Sequence, residues 1–119
     1  MLMNDLYTCR DIQATENDST YMIDFNANHD IFKGHFPGQP VVPGVCMMEM
    51  VKELFQQQTG KNVWLRSAGN IKFLQLITPD LSPLVKINWK ENGNSYDINA
   101  SFHLDTAVLF KMNGTYDRL

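Results

Sequence analysis

One segment of this sequence has the pattern of a helix that cannot face water. From about Gly44 to Thr59 the apolar residues Val45, Cys46, Met47, Met48, Met50, Val51, Leu54 and Phe55 cover most of the circumference for two turns. A helix apolar nearly all round is a buried one, so the rest of the chain must be built to enclose it. Pro43 suits the first helical position, where its missing N–H costs nothing, and Gly60 marks the stop. Just ahead of the helix, the eleven residues Gly34–Gly44, GHFPGQPVVPG, hold three of the five prolines and three of the seven glycines.

The enclosing material reads as strands. Val85, Ile87 and Trp89 alternate with Lys86, Asn88 and Lys90, the period of a half-buried strand. Tyr96, Ile98, Ala100, Phe102 and Leu104 repeat the pattern, and Asn92-Gly93 between the two runs is a strong hairpin signal. Further strands are expected from about Ala107 to Tyr116 after the corner at Leu104-Asp105-Thr106, and from Asn70 to Leu76 before the breaks at Pro79 and Pro83. Tyr21, Ile23 and Phe25 mark another, with the polar Glu16–Ser19 turning back to a weaker one around Tyr7 to Thr15. About six antiparallel strands around one buried helix define a single α+β domain over residues 1–119. A single sheet layer on one helix gives a thin core, so leftover apolar surface is expected to meet a second subunit.

A length of 119 residues allows one domain and one core. Ten Lys and Arg against 13 Asp and Glu give a charge of -3, without the footprint of a nucleic-acid or anionic-membrane binder. Apolar runs stop at about five residues, too few for a spanning helix. The opening MLMNDLYTCR lacks the order of an export signal. A cytoplasmic protein is expected, with Cys9 and Cys46 as small buried hydrophobes. His29, His35, Cys46 and His103 show neither CxxC nor HxxxH spacing, so no metal site is expected.

Three features could carry chemistry. Glu49 lies between Met47, Met48, Met50 and Val51, where an ionised carboxylate costs several kcal/mol unless it is relieved (on the order of 2–7 for a polar group, more for a charge). It either projects to an exposed edge beside Lys52 or holds a proton, a role that a like charge at Glu53 on the same face would favour. His35 opens a stretch rigidified by Pro37, Pro40 and Pro43, which suits a preorganised base, although a loop histidine capping a turn fits equally. Gly44 offers a backbone N–H at the positive end of the helix dipole with no side chain in front of it. Base, carboxylic acid and helix-terminal N–H together are the set needed to remove a proton α to a carbonyl and expel a β-hydroxyl.

His35-Phe36-Pro37-Gly38-Gln39-Pro40-Val41-Val42-Pro43-Gly44-Val45, followed by Glu49, resembles the signature GHFPxxPxxPGVxxxE of the β-hydroxyacyl-acyl carrier protein dehydratases of the FabA/FabZ type. Every fixed position is present, and glutamate at position 49 is the FabZ-like choice. The resemblance implies a hot-dog fold, a sheet wrapped around one central helix, and a homodimer with composite sites. It implies His35 as the base that takes the C2 proton and Glu49 of the other subunit as the group that protonates or holds the leaving water. Gly44 N–H would polarise the thioester carbonyl. Substrate would arrive on the phosphopantetheine of an acyl carrier protein, with no cofactor.

Phe36, Val41, Val42, Val45, Met47, Met48 and Phe73 are then candidates to line an acyl tunnel, with core packing the competing role. Lys33, Lys61, Arg66 and Lys72 are candidates for a basic rim that meets the acidic carrier. Ile71-Lys72-Phe73 resembles a strand of the same family, while Lys52-Glu53 replaces the small residue and glutamine common after its helical glutamate. Asp24–His29 partly matches the D-x-N-P-x-H motif of MaoC-like hydratases, with Ala27 in place of proline, which makes His29 a weaker candidate and a turn histidine its plain role. A non-catalytic carrier-binding subunit, a hydratase and a thioesterase are the rival readings.

Overall fold

The computed structural model describes residues 1–33 and 38–119. Elements follow the order β1 (Tyr7–Ala14), β2 (Asp18–Phe25), a 3-10 turn (Asp30–Phe32), α1 (Gly44–Thr59), β3 (Val63–Phe73), β4 (Leu84–Asn92), β5 (Ser95–Leu104) and β6 (Ala107–Arg118). The strands form one six-stranded sheet in the order β1-β2-β4-β5-β6-β3, each pair antiparallel. Strands β1 and β3 are its edges.

The alternation read from sequence is the alternation of burial. Val85, Ile87, Tyr96, Ile98, Ala100 and Phe102 face the core, while Lys86, Asn88, Asp97 and Asn99 face outward. Against the inner face pack Met50, Val51, Leu54 and Phe55 of α1, each at 0% exposure. Phe55 meets Trp89 and Tyr96 edge-on, with ring centroids 5.3 and 5.0 Å away, the favoured approach of aromatic quadrupoles. Truncating Leu54 to alanine would cost about 2–5 kcal/mol, because the sheet cannot collapse into the space left.

Helix α1 stops as its sequence indicates. Gly60 adopts the left-handed conformation at φ 72° and returns its N–H to the Gln56 carbonyl at 2.8 Å, a geometry that costs glycine no steric penalty. It starts at Gly44 as expected, but the role of Pro43 differs. Pro43 is extended at ψ 145° and serves as N-cap, so Gly44 is the first helical residue.

Three other expectations are corrected. Strand β3 runs from Val63 to Phe73, not from Asn70 to Leu76. Its first half escapes the alternation rule because the register slips between Leu65 and Ser67 and again between Ala68 and Ile71, each slip a bulge that reverses the in-out pattern. It ends at Phe73 because Leu74 N–H and Gln75 N–H both turn to the Leu109 carbonyl, at 2.9 and 3.1 Å. The β4–β5 turn is Gly93-Asn94, with Asn92 already paired to Ser95 and Gly93 at φ 66°. Asp18 and Ser19 belong to β2 and not to the preceding turn.

Candidate active site

Two clefts flank the first turns of α1. The smaller, about 370 Å³, is lined by Val41–Gly44, Met47 and Phe73–Ile77. Its floor is set by Val42 N–H, which donates to the Ile77 carbonyl at 2.7 Å. Phe73 lies over the helix start so closely that a Cβ on Gly44 would come within 2.6 Å of Phe73 Cζ. A side chain at position 44 would therefore have to displace the Phe73 ring, which is 55% exposed and free to move outward. Pro43 provides no side-chain cap, which leaves the positive end of the helix dipole free of a built-in carboxylate or hydroxyl.

The larger cleft, about 580 Å³, contains Glu49 and Lys52 among Met1, Leu2, Val45, Cys46, Met48, Trp64, Leu65 and Tyr116. Glu49 Oε1 receives Lys52 Nζ at 3.0 Å, both side chains about one-third exposed. Of the two positions open to Glu49 from sequence, the isolated chain adopts the one beside Lys52. Burial, and then the charge of Glu49, push the Cys46 thiol up, so at neutral pH it is a packed thiol and a poor nucleophile. The same two causes push the Tyr116 hydroxyl up to about 12. Among the described residues, Glu49 is the one carboxylate lining this cleft, with Lys52 beside it and mostly apolar side chains around it.

Glu53 behaves differently from its neighbour. It is 1% exposed, and its oxygens accept Leu2 N–H and Met3 N–H at 2.8 Å each and Tyr7 O–H at 3.1 Å. Burial, then the charge of Glu53, hold the Tyr7 hydroxyl far above its ordinary value, so Tyr7 remains the donor. The expectation of a like-charge pair beside Glu49 is replaced by a carboxylate fully engaged with the segment ahead of β1. The signal for this lay in sequence, since a carboxylate between Val51, Leu54 and Phe55 needs N–H or O–H donors to be buried at all.

The sequence candidates separate in space. Val41, Val42, Gly44, Met47 and Phe73 line the smaller cleft, and Val45, Met48 and Glu49 the larger. His35 and Phe36 lie outside the described residues. His29 has the structural role: its Nδ1 accepts Ile31 N–H at 3.0 Å to cap the 3-10 turn, and its Nε2 sits 3.1 Å from Asp5 Oδ2. Of the four cations, two have local partners. Lys33 pairs with Asp30 and Arg66 with Asp117. Lys61 lies two residues ahead of β3 and Lys72 near its far end. Missed by sequence reasoning were Cys46 of α1, and Trp64, Leu65 and Tyr116, which β3 and its pairing with β6 bring to the larger cleft.

A six-stranded antiparallel sheet around one helix, with clefts at the helix start, is the hot-dog architecture, and two solved structures share it. The dehydratase heterocomplex ApeI:P from Xenorhabdus doucetiae superposes with a TM-score of 0.74 at 24% identity, over 89% of this chain and 92% of that one. The PaaI protein of the phenylacetic acid degradation operon of E. coli gives 0.63 at 16% identity, over 91% and 82%. At sequence level the model of the ApeI dehydratases matches residues 11–109, and the chain belongs to this ApeI-like family. The 3-hydroxyacyl-acyl-carrier-protein dehydratase FabZ of Acidiphilium cryptum is 31% identical over 94 residues, covering 71% of this chain and 57% of that protein. FabZ of Wolbachia pipientis is 37% identical over 68 residues, covering 51% and 48%. The chain spans about half the length of the curated relatives it matches. No helix among the described residues is long and apolar enough to cross a membrane.

Proposed function

We propose that this protein dehydrates a (3R)-3-hydroxyacyl thioester, carried on an acyl carrier protein, to the trans-2-enoyl thioester, in the making of fatty acids or related acyl chains. The observation that carries the reading is Glu49, the one carboxylate among the described residues that line the larger cleft, fourteen residues after His35 in the motif. In the proposed reaction neutral His35 takes the C2 proton, the C2–H pair becomes the C2=C3 bond, and the C3–O bond breaks. Protonated Glu49 gives its proton to the departing hydroxyl, which leaves as water, and the proton on His35 later restores Glu49. Lys52 must give up its contact with Glu49 for this step. Gly44 N–H, at the helix start, would hold the charge that gathers on the thioester oxygen as the C2 proton departs. No cofactor enters this sequence.

A second subunit is part of the proposal. Strand β3 is an eleven-residue edge, and Val45, Trp64, Phe73, Leu74 and Leu76 stand 47–73% exposed along it and the adjoining helix start. Long apolar edges seek a partner strand. A second copy of the chain is the partner proposed, and the ApeI:P neighbour, a heterocomplex, makes a related subunit the alternative. Lys72, which lines a separate groove with Asn70, Ser101 and Lys111, is proposed as one contact for the acidic carrier. The free thiols Cys9 and Cys46 suit a reducing cytoplasm, the compartment proposed.

Purified protein incubated with 3-hydroxyacyl carrier-protein substrates of several lengths should yield enoyl product, and His35→Ala or Glu49→Gln should each remove most of it. Turnover that survives both changes would overturn the assignment. Light scattering separates the partner readings, since a monomer that turns over only with a second chain would favour the heterocomplex.

A further inference from the structure

We propose that the segment Met1–Leu6 is a wall of the acyl site, clamped there by Glu53, and that it sets the length of acyl chain the cleft accepts. This rests on the dehydratase reading only in naming the ligand as an acyl chain. The segment is a knit turn. Leu2 carbonyl receives Asp5 N–H at 3.0 Å and Leu6 N–H at 2.7 Å, and Asn4 N–H donates to the Tyr7 carbonyl at 2.7 Å. Leu6 is buried at 0% exposure and its carbonyl accepts Asn26 N–H at 2.8 Å.

Among the described residues, Glu53 is the α1 side chain that hydrogen-bonds the turn's leading end, while Leu2 and Met3 pack against the core. Glu53 takes Leu2 N–H on one oxygen and Met3 N–H on the other, so Met1 and Leu2 are held where they line the cleft that contains Glu49. Glu49 and Glu53 are one helical turn apart, which fixes the wall relative to the carboxylate. A buried carboxylate is costly. Three donors converging on this one give it a purpose that helix packing alone would not need, because an apolar residue would fill the same core.

The chemistry predicts distinct consequences for two changes. Glu53→Gln keeps the shape but replaces one acceptor with an NH2 that confronts a backbone N–H, so one of the two N–H groups loses its partner. The clamp opens on one side and length discrimination should flatten. Leu2→Ala leaves the clamp intact, because Leu2 bonds through its backbone, and removes apolar wall from the cleft. Longer chains should then be favoured. One methylene in an apolar pocket is worth roughly 10–200-fold in discrimination, so the ratio of long-chain to short-chain affinity should rise by about tenfold or more.

The test measures binding and turnover together. A series of 3-hydroxyacyl pantetheine thioesters of increasing chain length is titrated against wild type, Glu53→Gln and Leu2→Ala, read by tryptophan fluorescence, since Trp64 lines the same cleft, and by enoyl formation. A ratio that shifts to longer chains in Leu2→Ala and flattens in Glu53→Gln supports the clamp. Binding with those shifts but without turnover would sink the dehydratase reading and leave the clamp standing. A wild type that binds no length, or an unmoved ratio in both variants, would overturn the clamp.

Discussion

Replacing Gly44 with alanine separates what the helix start does for stability from what it does for chemistry. The new methyl would fall 2.6 Å from Phe73 Cζ, inside any real contact distance. The clash is with the end of a side chain that is 55% exposed, so the ring can swing outward. The cost is part of its contact with Phe110, whose ring centroid lies 5.1 Å away, within the ~0.5–1.5 kcal/mol of an aromatic pair. Alanine is a better helix former than glycine by about 0.8–1.0 kcal/mol in an interior position, less at the first residue. The two effects nearly cancel, and thermal unfolding should move by no more than ~1 kcal/mol. Turnover should respond far more, since the methyl and the displaced ring crowd the N–H proposed to hold the developing oxyanion. Loss of one such donor costs about 100- to 1,000-fold in kcat. Melting curves and initial rates on the same preparation give both numbers. An alanine variant with wild-type kcat would refute the role given to Gly44, and one that fails to fold would refute the cancellation.

Other outcomes follow from the same geometry. If His35 of one subunit works with Glu49 of the other, mixing His35→Ala and Glu49→Gln chains restores roughly a quarter of wild-type activity, because half the dimers are mixed and one of their two sites is intact; no recovery after subunit exchange would count against composite sites. For Tyr116 the folded value of about 12 exceeds the ordinary 10.0, so between the two the folded state binds more protons. Its share of stability is whole below pH 10 and lost as pH rises through about 12, by ~3 kcal/mol at most, and Tyr116→Phe should flatten the alkaline limb of a pH series of denaturant melts. Asp24 is opposite in sign: a hydrogen bond from Arg10, then one from Ser82, hold its carboxyl below 3.8. Stability is present above that value and lost as pH falls through the folded one, within the ~0–1 kcal/mol of an exposed pair, and Asp24→Asn should erase that loss.

The sheet was legible wherever burial alternates cleanly. Strands β4 and β5 each have one wet and one packed face, so Lys86, Asn88, Asp97 and Asn99 reveal the period directly. Helix α1 was legible from its apolar run and its stop at Gly60, although its burial is one-sided: Val45 stands 73% exposed and Glu49 and Lys52 open onto a cleft. Strand β3 hid because its two register slips reverse the period, and an edge strand has no second neighbour to enforce it. At the site, sequence pattern brought Glu49 forward as a carboxylate among methionines and Gly44 as the N–H at the helix start. It could not assign Glu53, because the donors that hold it, at Leu2, Met3 and Tyr7, come from some fifty residues away in the chain.

The most direct test of the central claim is the mass of a 3-hydroxyacyl chain on its carrier protein after incubation with the wild-type enzyme and with Glu49→Gln. Expected is loss of one water from the carrier-linked chain with the wild type and little or none with the variant. Release of the chain to leave a free carrier thiol, or equal loss of water from both proteins, would contradict it.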